Sequence, residues 1–319
     1  MAKFNNGYRN IKVKLIDFEV DGLAKKLYLF NRFGSDHYKI PGENFSEDEM
    51  SVFVNELIGG TTFPKMAFEG IRLNFQIEGI SRICLAQLTR DNGIFCSESH
   101  GLRPLSQEFN IPMNIFKDSS IMEKLTKAQA LLEQAYIECC EKEIPYPESR
   151  YICLHSQTIS LCASFTPIAF VRACYSRTNN SFCDELNYVY RKMYAEIEDA
   201  IAASEDYNSI KICRWLFKRE KCIDDNYYRR TNVFNSDFNP DKNIIPDNPA
   251  QNDWRKSCWK MELERIFEDE PWLLTYKEYL LIEEWKAHEE NGNELPTTYD
   301  ANNKRVAPNA IKEMNYYDK

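Results

Sequence analysis

The sequence lacks the short motifs that identify several common enzyme chemistries. It contains no GxGxxG or GxxxxGK[ST] phosphate-binding loop, no GxSxG nucleophile elbow and no HExxH zinc motif. Histidine is scarce, and no two of the four stand at metal-ligand spacing; they are His37, His100, His155 and His288. These absences argue against a metal enzyme, and we predict no metal site.

The cysteines follow no pattern that indicates a zinc site or a disulfide framework. There are eleven, an odd number, without CxxC spacing, and nothing singles one out as a nucleophile. We predict that they are buried small apolar residues in a reducing compartment. The start, MAKFNNGYRN, has no apolar signal core, and no run of about 18 apolar residues occurs. We therefore expect a cytoplasmic protein that does not bind a membrane.

Positive charge is in deficit over the whole chain. Lysine and arginine number 40 against 49 acidic residues, which gives a net charge of -9. Such a chain has no overall basic field, so we predict no nucleic-acid partner. An anionic ligand must then be held by arginines that cluster locally. The length of 319 residues and the 43% hydrophobic content suit one large domain, or a domain with an appendage.

Apolar periodicity predicts the first elements. Residues 11–15 and 71–78 alternate apolar and polar side chains, as strands do. Ser46 is the predicted N-cap of a helix with acidic residues in its first turn. Ser81 is the predicted N-cap of a second helix, which continues to about Arg90.

The middle of the chain predicts a long amphipathic helix over residues 124–143 and a strand over residues 150–165. Thr166 and Pro167 are typical of a helix start, and that helix leads to Arg177. The long helix has an apolar stripe that we predict to be buried. The stripe consists of Ala128, Leu131, Leu132, Ala135, Tyr136 and Cys139.

A change in composition predicts two parts. Beyond Arg229 the stretch NVFNSDFNPDKNIIPDNPAQND is rich in Asn, Asp and Pro, which is typical of a linker. Helical segments that contain most of the tryptophans follow it. We therefore predict one domain over residues 1–228, and over residues 229–319 a linker with a Trp-rich helical extension that packs on this domain.

Four arginines stand at predicted element boundaries, where a side chain can reach a cleft; they are Arg90, Arg103, Arg150 and Arg177. Two of them, Arg90 and Arg103, lie within the stretch LTRDNGIFCSESHGLRPLS, residues 88–106, which we interpret as the end of a helix followed by an irregular loop. Together with Gln87 and Glu98, the arginines suit a planar anionic ligand such as a nucleotide, because guanidinium groups bind phosphate bidentately. The alternative is four surface arginines that share no partner.

Several stretches resemble the flavin-dependent thymidylate synthases. FQIEGISRICLAQLTRD is similar to that family's Phe-x-Ile-x-Gly-x-Ser-Arg strand end and Gln-x-x-Arg helix end. RDNGIFCSESHGLRP keeps four residues of the signature, with one residue inserted. KAQALLEQAYIECCEKEIPYPESRY resembles the family's helix and its Ile-Pro-x-x-x-x-Arg segment, and the register continues without gaps through RACYSRTNNSFCDEL. The resemblance covers about residues 10 to 215.

The sequence also departs from the family pattern. The signature His and second Arg are Asp91 and Asn92, and the signature Ser is His100. The His of an upstream Glu-His pair is Gly70, although its glutamate is kept as Glu69. The family's flavin-holding Asn-x-Arg falls on Thr166 and Ile168.

The resemblance implies an α/β (α+β) fold, with a central mixed or antiparallel sheet flanked by helices and a helical C-terminal extension. It implies FAD as cofactor, methylenetetrahydrofolate and NADPH as co-substrates, and a pyrimidine deoxynucleotide monophosphate as substrate. It also implies a homotetramer with sites between subunits. Electrons come from reduced flavin, and no cysteine nucleophile is needed.

The resemblance assigns residues to three roles. The implied nucleotide-binding residues are Gln87, Arg90, Glu98, Ser99, His100, Gly101, Arg103, Arg150 and Arg177. The implied cofactor-binding residues are Glu69, Arg82, Arg90, Asp91, Asn92, Thr166 and Arg172. The implied catalytic residues are Arg90, Arg177 and His100.

Three functions remain open at this point. The first is a divergent thymidylate synthase that converts dUMP to dTMP. The second is a related enzyme that methylates or hydroxymethylates C5 of dUMP, dCMP or UMP, because the altered residues beside the flavin change folate handling. The third is a nucleotide-binding homologue without catalysis.

Overall fold

The computed structural model describes residues 2–33, 46–61, 65–97, 107–178, 184–223, 258–274, 278–279, 282–283 and 286. The chain divides into two units, residues 1–224 and 225–319. In the described part of the first unit six strands are present: β1 (Lys3–Asn6), β2 (Lys12–Asp17), β3 (Leu73–Ser81), β4 (Gly93–Ser97), β5 (Glu108–Ile111) and β6 (Thr158–Phe165). Four of them form an antiparallel sheet in the order β2-β3-β6-β4, and β1 pairs with β5 in parallel.

The described helices of the first unit are α1 (Leu23–Phe33), α2 (Glu47–Ile58), α3 (Lys65–Glu69), α4 (Arg82–Leu88), α5 (Met113–Phe116), α6 (Ser119–Glu141), α7 (Tyr146–Ser149), α8 (Pro167–Arg177), α9 (Asp184–Ala202), α10 (Tyr207–Leu216) and α11 (Arg219–Cys222). The second unit contains α12 (Cys258–Asp269). The predicted mixture of sheet and flanking helices, with a helical C-terminal part, is confirmed. Among the described residues, no helix combines the length and apolar character that crossing a membrane requires.

Strand β3 forms where alternation predicts it. Leu73, Phe75 and Ile77 are fully buried on one face, because side chains two residues apart point to the same side of a strand. Opposite them on β6 lie Phe165 and Ala163, so the pairing of the two strands places apolar groups side by side in the core.

Three predicted helix starts are confirmed by their cap hydrogen bonds. The hydroxyl of Ser46 accepts from the backbone of Glu49 at the start of α2. Ser81 caps α4 in the same way, and Thr166 caps α8 with Pro167 in the first turn. Each side-chain oxygen satisfies a backbone N–H that has no partner inside the helix.

The predicted burial of the α6 stripe is wrong. Helix α6 buries only Gln129, and Leu131 is 66% exposed. The amphipathic pattern identifies the apolar face of a helix, but it does not identify the surface that covers it. Ala128 and Leu131 are exposed, and the other four residues of the stripe are only half-buried.

Other predictions also need correction. Residues 150–165 do not form one strand, because Arg150–Ile152 is a 3-10 turn and β6 begins only at Thr158. The stretch after Arg90 is not wholly irregular, since β4 pairs with β6 along one edge of the sheet. The cysteines are not uniformly buried; Cys96, Cys140 and Cys162 are exposed.

Candidate functional site

A cavity of about 630 Å³ opens beside the edge of the antiparallel sheet. Its walls come from the end of α3, the residue before β3, the turn after α4, the start of β4 and the first turns of α8. Its volume falls in the range of small-molecule and cofactor sites. The lining residues are Glu69, Arg72, Arg90, Asp91, Asn92, Gly93, Ile94, Thr166, Ile168, Ala169, Arg172, Ala173 and Ser176.

The cavity is cationic although the chain is acidic. Arg72, Arg90 and Arg172 reach it from three different elements, and all three are exposed. None of the three forms an ion pair or a side-chain hydrogen bond with another described residue. Two acidic residues, Glu69 and Asp91, line the same cavity. An anionic ligand is the natural partner of such a site, because guanidinium groups bind phosphate bidentately.

Asp91 is committed to neighbours inside the protein. Its Oδ1 accepts hydrogen bonds from Nε and Nη2 of Arg177, at 2.9 and 2.6 Å. Its Oδ2 accepts from the Tyr190 hydroxyl at 2.6 Å. Burial and the adjacent Asp91 carboxylate raise the pKa of Tyr190 well above its ordinary value, so the phenol stays protonated and donates. The ion pair therefore fixes the turn after α4 against α8 and α9.

Gly93 allows this turn to enter β4 directly. A Cβ at this position meets the rings of Phe165 and Phe95 at 2.8 Å, closer than a real contact permits. Those rings themselves pack edge to face, with centroids 5.5 Å apart. The glycine thus brings Asp91 and Asn92 down onto the sheet edge that borders the cavity.

Arg82 and Arg150 form a second basic site, apart from the cavity lining. The backbone N–H groups of Arg82 and Ile83 donate to the carbonyls of Gln157 and His155, which holds the start of α4 against the segment before β6. Burial raises the pKa of the Cys153 thiol in that segment, and both guanidinium groups oppose the shift. Hence both positive charges lie close to one thiol.

The two arginines of this second site carry buried polar atoms that have no hydrogen-bond partner among the described residues. These atoms are Nη1 of Arg82 and Nε and Nη2 of Arg150. A buried donor without a partner is unfavourable, by about 1–3 kcal/mol and more when it is charged. Such donors are typical of a site that awaits an anion.

Glu185 anchors the start of α4. This buried carboxylate accepts from the backbone N–H of Ser81 at 2.7 Å and also from the Ser81 hydroxyl. Asn110 on β5 donates to the same carboxylate at 2.7 Å and to the Gly79 carbonyl at 2.8 Å. The first residue of α4, Arg82, therefore starts from a rigid position.

Comparison with known proteins identifies the family to which the chain belongs. The family described as "Thymidylate synthase complementing protein" matches residues 26–201, more than half of the chain. The chain belongs to this family. A curated relative, the flavin-dependent thymidylate synthase of Pyrococcus abyssi, is 24% identical over 187 residues, which are 57% of this chain and 73% of the relative.

Two solved structures are also similar to the chain in fold. Both are of PolB, a UMP/dUMP methylase from Streptomyces cacaoi. The one bound with 5-Br dUMP has a TM-score of 0.49 at 15% identity, and covers 66% of this chain and 96% of its own. The one bound with 5-Br UMP has a TM-score of 0.47 at 13% identity, and covers 68% and 97%. Family and curated relative together support an enzyme that modifies C5 of a pyrimidine nucleotide.

The structure brings together most of the residues that the family resemblance assigns to the cofactor. Six line the one cavity: Glu69, Arg90, Asp91, Asn92, Thr166 and Arg172. Arg82 does not line it and lies with Arg150 instead. Arg177 lies behind the cavity wall, on Asp91. Gln87 is half-buried on α4.

Five assigned residues lie outside the described part of the chain: Glu98, Ser99, His100, Gly101 and Arg103. One charged lining residue, Arg72, was not assigned by the sequence analysis. Arg72 reads as an ordinary outward-facing residue of an alternating strand, and only its place three positions after Glu69 connects it with the site.

The residues present fit FAD. The cofactor carries a diphosphate, and the cavity offers three guanidinium groups that have no other partner among the described residues. Asn92 and Thr166 line the same cavity, although the Thr166 hydroxyl is already used as the acceptor of the α8 cap. Asp91 and Asn92 stand where the family has His and a second Arg. The cavity contains another cation, Arg72, which comes from the segment before β3.

Proposed function

We propose that this protein is a flavin-dependent enzyme that transfers a one-carbon unit from methylenetetrahydrofolate to C5 of a pyrimidine nucleotide, converting dUMP to dTMP. The observation that carries the proposal is the cationic cavity inside a chain that belongs to the thymidylate synthase complementing protein family. In this proposal FAD, when bound, supplies the electrons, and NADPH reduces it.

The cavity is the proposed flavin site. Arg90 and Arg172 neutralise the anionic part of the cofactor, and Asn92 hydrogen-bonds to it. Glu69 is acceptor-only when ionised, so its proposed role is to accept from an N–H or O–H of the cofactor. Asp91 acts through its ion pair, since both its oxygens already accept hydrogen bonds.

The pair Arg82 and Arg150 is the proposed phosphate site of the nucleotide. Their buried, unpartnered nitrogen atoms support this assignment, because a phosphate supplies acceptors to several donors at once. In this proposal Arg82 binds the nucleotide, whereas the family resemblance assigns it to the cofactor. The remaining nucleotide contacts stay predictions; they involve Gln87, Arg90, Glu98, Ser99, His100, Gly101, Arg103 and Arg177.

A second copy of the chain is the proposed partner of the α6 stripe. A 23-residue helix that buries a single side chain gains little from its own unit. Covering the stripe with another subunit removes its apolar groups from water. This supports the homotetramer that the family resemblance implies.

Two measurements test the proposed activity. The visible absorption spectrum of the purified protein, or a titration with FAD, is expected to show bound flavin. Incubation with dUMP, methylenetetrahydrofolate, NADPH and FAD is then expected to give a product of the mass of dTMP. A protein that binds dUMP but no flavin contradicts the proposal and supports a nucleotide-binding homologue without catalysis.

The second candidate function is an enzyme that forms a hydroxymethylated nucleotide. The observation in its favour is the replacement of the family's histidine by Asp91. The family's histidine is replaced beside the cavity by a carboxylate that is tied to Arg177 and Tyr190. The signature serine is replaced by His100, whose imidazole can activate a water near neutral pH. Product mass from wild type and His100→Ser, with dUMP, dCMP and UMP, decides between methyl and hydroxymethyl. A methyl product from both proteins excludes this candidate.

A further inference from the structure

Arg72 is a cation of the cavity that neither the family pattern nor the sequence analysis assigns. It stands immediately before β3, whereas Arg90 follows α4 and Arg172 lies on α8. The three side chains therefore come from parts of the chain far apart in sequence and meet around one volume of about 630 Å³. Surface arginines without a shared function have no reason to converge in this way.

The charge balance of the cavity wall favours an anion. Of the two acidic lining residues, Asp91 already pairs with Arg177 at 2.6 Å. This leaves Glu69 alone against three guanidinium groups that have no partner among the described residues. Since the whole chain has a net charge of -9, this excess of positive charge is local.

We propose that Arg72 binds the diphosphate of the flavin and so selects FAD over flavins that lack this group. The inference rests on the proposed function and adds a specificity-determining residue to it. Arg72 supplies a cation to a cavity in which Asn92 stands at the position of the family's second arginine. A guanidinium group can donate two parallel hydrogen bonds, and a diphosphate offers several oxygen atoms that accept them.

The test compares FAD with riboflavin, which has the ring system but no phosphate. Arg72→Gln is expected to weaken FAD binding by about ten- to a hundredfold, the effect of one lost charge-assisted contact, while riboflavin binding stays unchanged. Arg214→Gln is the matched control, because Arg214 is an exposed arginine on α10 outside the cavity. Binding is measured by quenching of flavin fluorescence, and thermal unfolding verifies that both variants fold.

The outcomes separate this inference from the proposed function. FAD binding that is equally strong in wild type and Arg72→Gln overturns the role of Arg72 and leaves the proposed function standing. An equal loss of FAD and riboflavin affinity in Arg72→Gln also overturns it, because the side chain then does not act on the diphosphate. A wild-type protein that binds no flavin overturns the proposed function and this inference with it.

Discussion

Asp91 and Arg177 form a nearly buried ion pair, with side chains 8% and 13% exposed, at the position where the family resemblance leads one to expect a histidine. The same carboxylate holds the Tyr190 hydroxyl. Where the resemblance implies a histidine beside the flavin, this chain has the Asp91 carboxylate. That carboxylate is the counter-ion of Arg177, which the resemblance assigns to the nucleotide. Arg177 is thereby held in one orientation before any ligand binds.

Asp91→Asn is expected to lower the free energy of unfolding by about 2–3 kcal/mol, because it leaves the nearly buried Arg177 without its counter-charge. Urea denaturation measures the change. Asp199→Asn is the control, since Asp199 is an exposed acid on α9. Equal stability of the two variants contradicts an energetic role for the pair.

The proposed phosphate site of the nucleotide gives a second prediction. Arg150→Gln is expected to weaken dUMP binding about ten- to a hundredfold, since it removes one charge-assisted contact of roughly 1.5–3 kcal/mol. The affinity for deoxyuridine, which has no phosphate, is expected to stay the same, as is the FAD content. Isothermal titration with both ligands measures the difference. A parallel loss for dUMP and deoxyuridine assigns Arg150 to another part of the nucleotide.

Stability at alkaline pH tests the packing of α10. The pKa of the Cys213 thiol is raised from 9.0 to about 12, mainly by burial and to a smaller extent by the negative charge of Asp206. Between these values the unfolded chain loses this proton and the folded chain keeps it, so the stabilisation is complete below pH 9 and is lost as pH rises through 12. The contribution of Cys213 to the slope is about -1.4 kcal/mol per pH unit.

Cys213→Ala is expected to make the fall in unfolding free energy above pH 9 shallower by that amount. Urea denaturation at several pH values between 8 and 11 measures the slope. Cys96→Ala is the control, because Cys96 is exposed on β4. An unchanged slope in Cys213→Ala means that this thiol ionises in the folded protein as easily as in the unfolded chain.

Local patterns predicted local structure well. The alternation in β3 and the caps at Ser46, Ser81 and Thr166 depend only on neighbours within a few residues, and the structure confirms them. Strand β4 was missed because it is short and lies against β6 at the sheet edge with only moderate burial. Its partners on β6 lie 64 to 72 positions away along the chain, and no local pattern encodes such a pairing.

The site was predictable only as far as the family resemblance extended. Six of the assigned cofactor residues do meet in one cavity, which their distant positions in the sequence did not require. Arg82 lies outside that cavity and Arg72 lines it. Both positions depend on tertiary structure. So does the ion pair of Asp91 and Arg177, because a carboxylate in a turn gives no sign of its partner.

The α6 stripe provides the last prediction, which concerns assembly. Leu131→Glu is expected to convert the proposed oligomer into smaller species, because it places a charge on the apolar face that we propose to be covered by another subunit. The fold of the subunit is expected to survive, since Leu131 is 66% exposed within its own chain. Ala130→Glu adds the same charge at an exposed position on the opposite side of α6 and is expected to leave the oligomer intact. Sedimentation equilibrium gives the masses of the three proteins. A monomeric wild type, or a Leu131→Glu variant with the wild-type mass, means that the stripe is not a subunit interface.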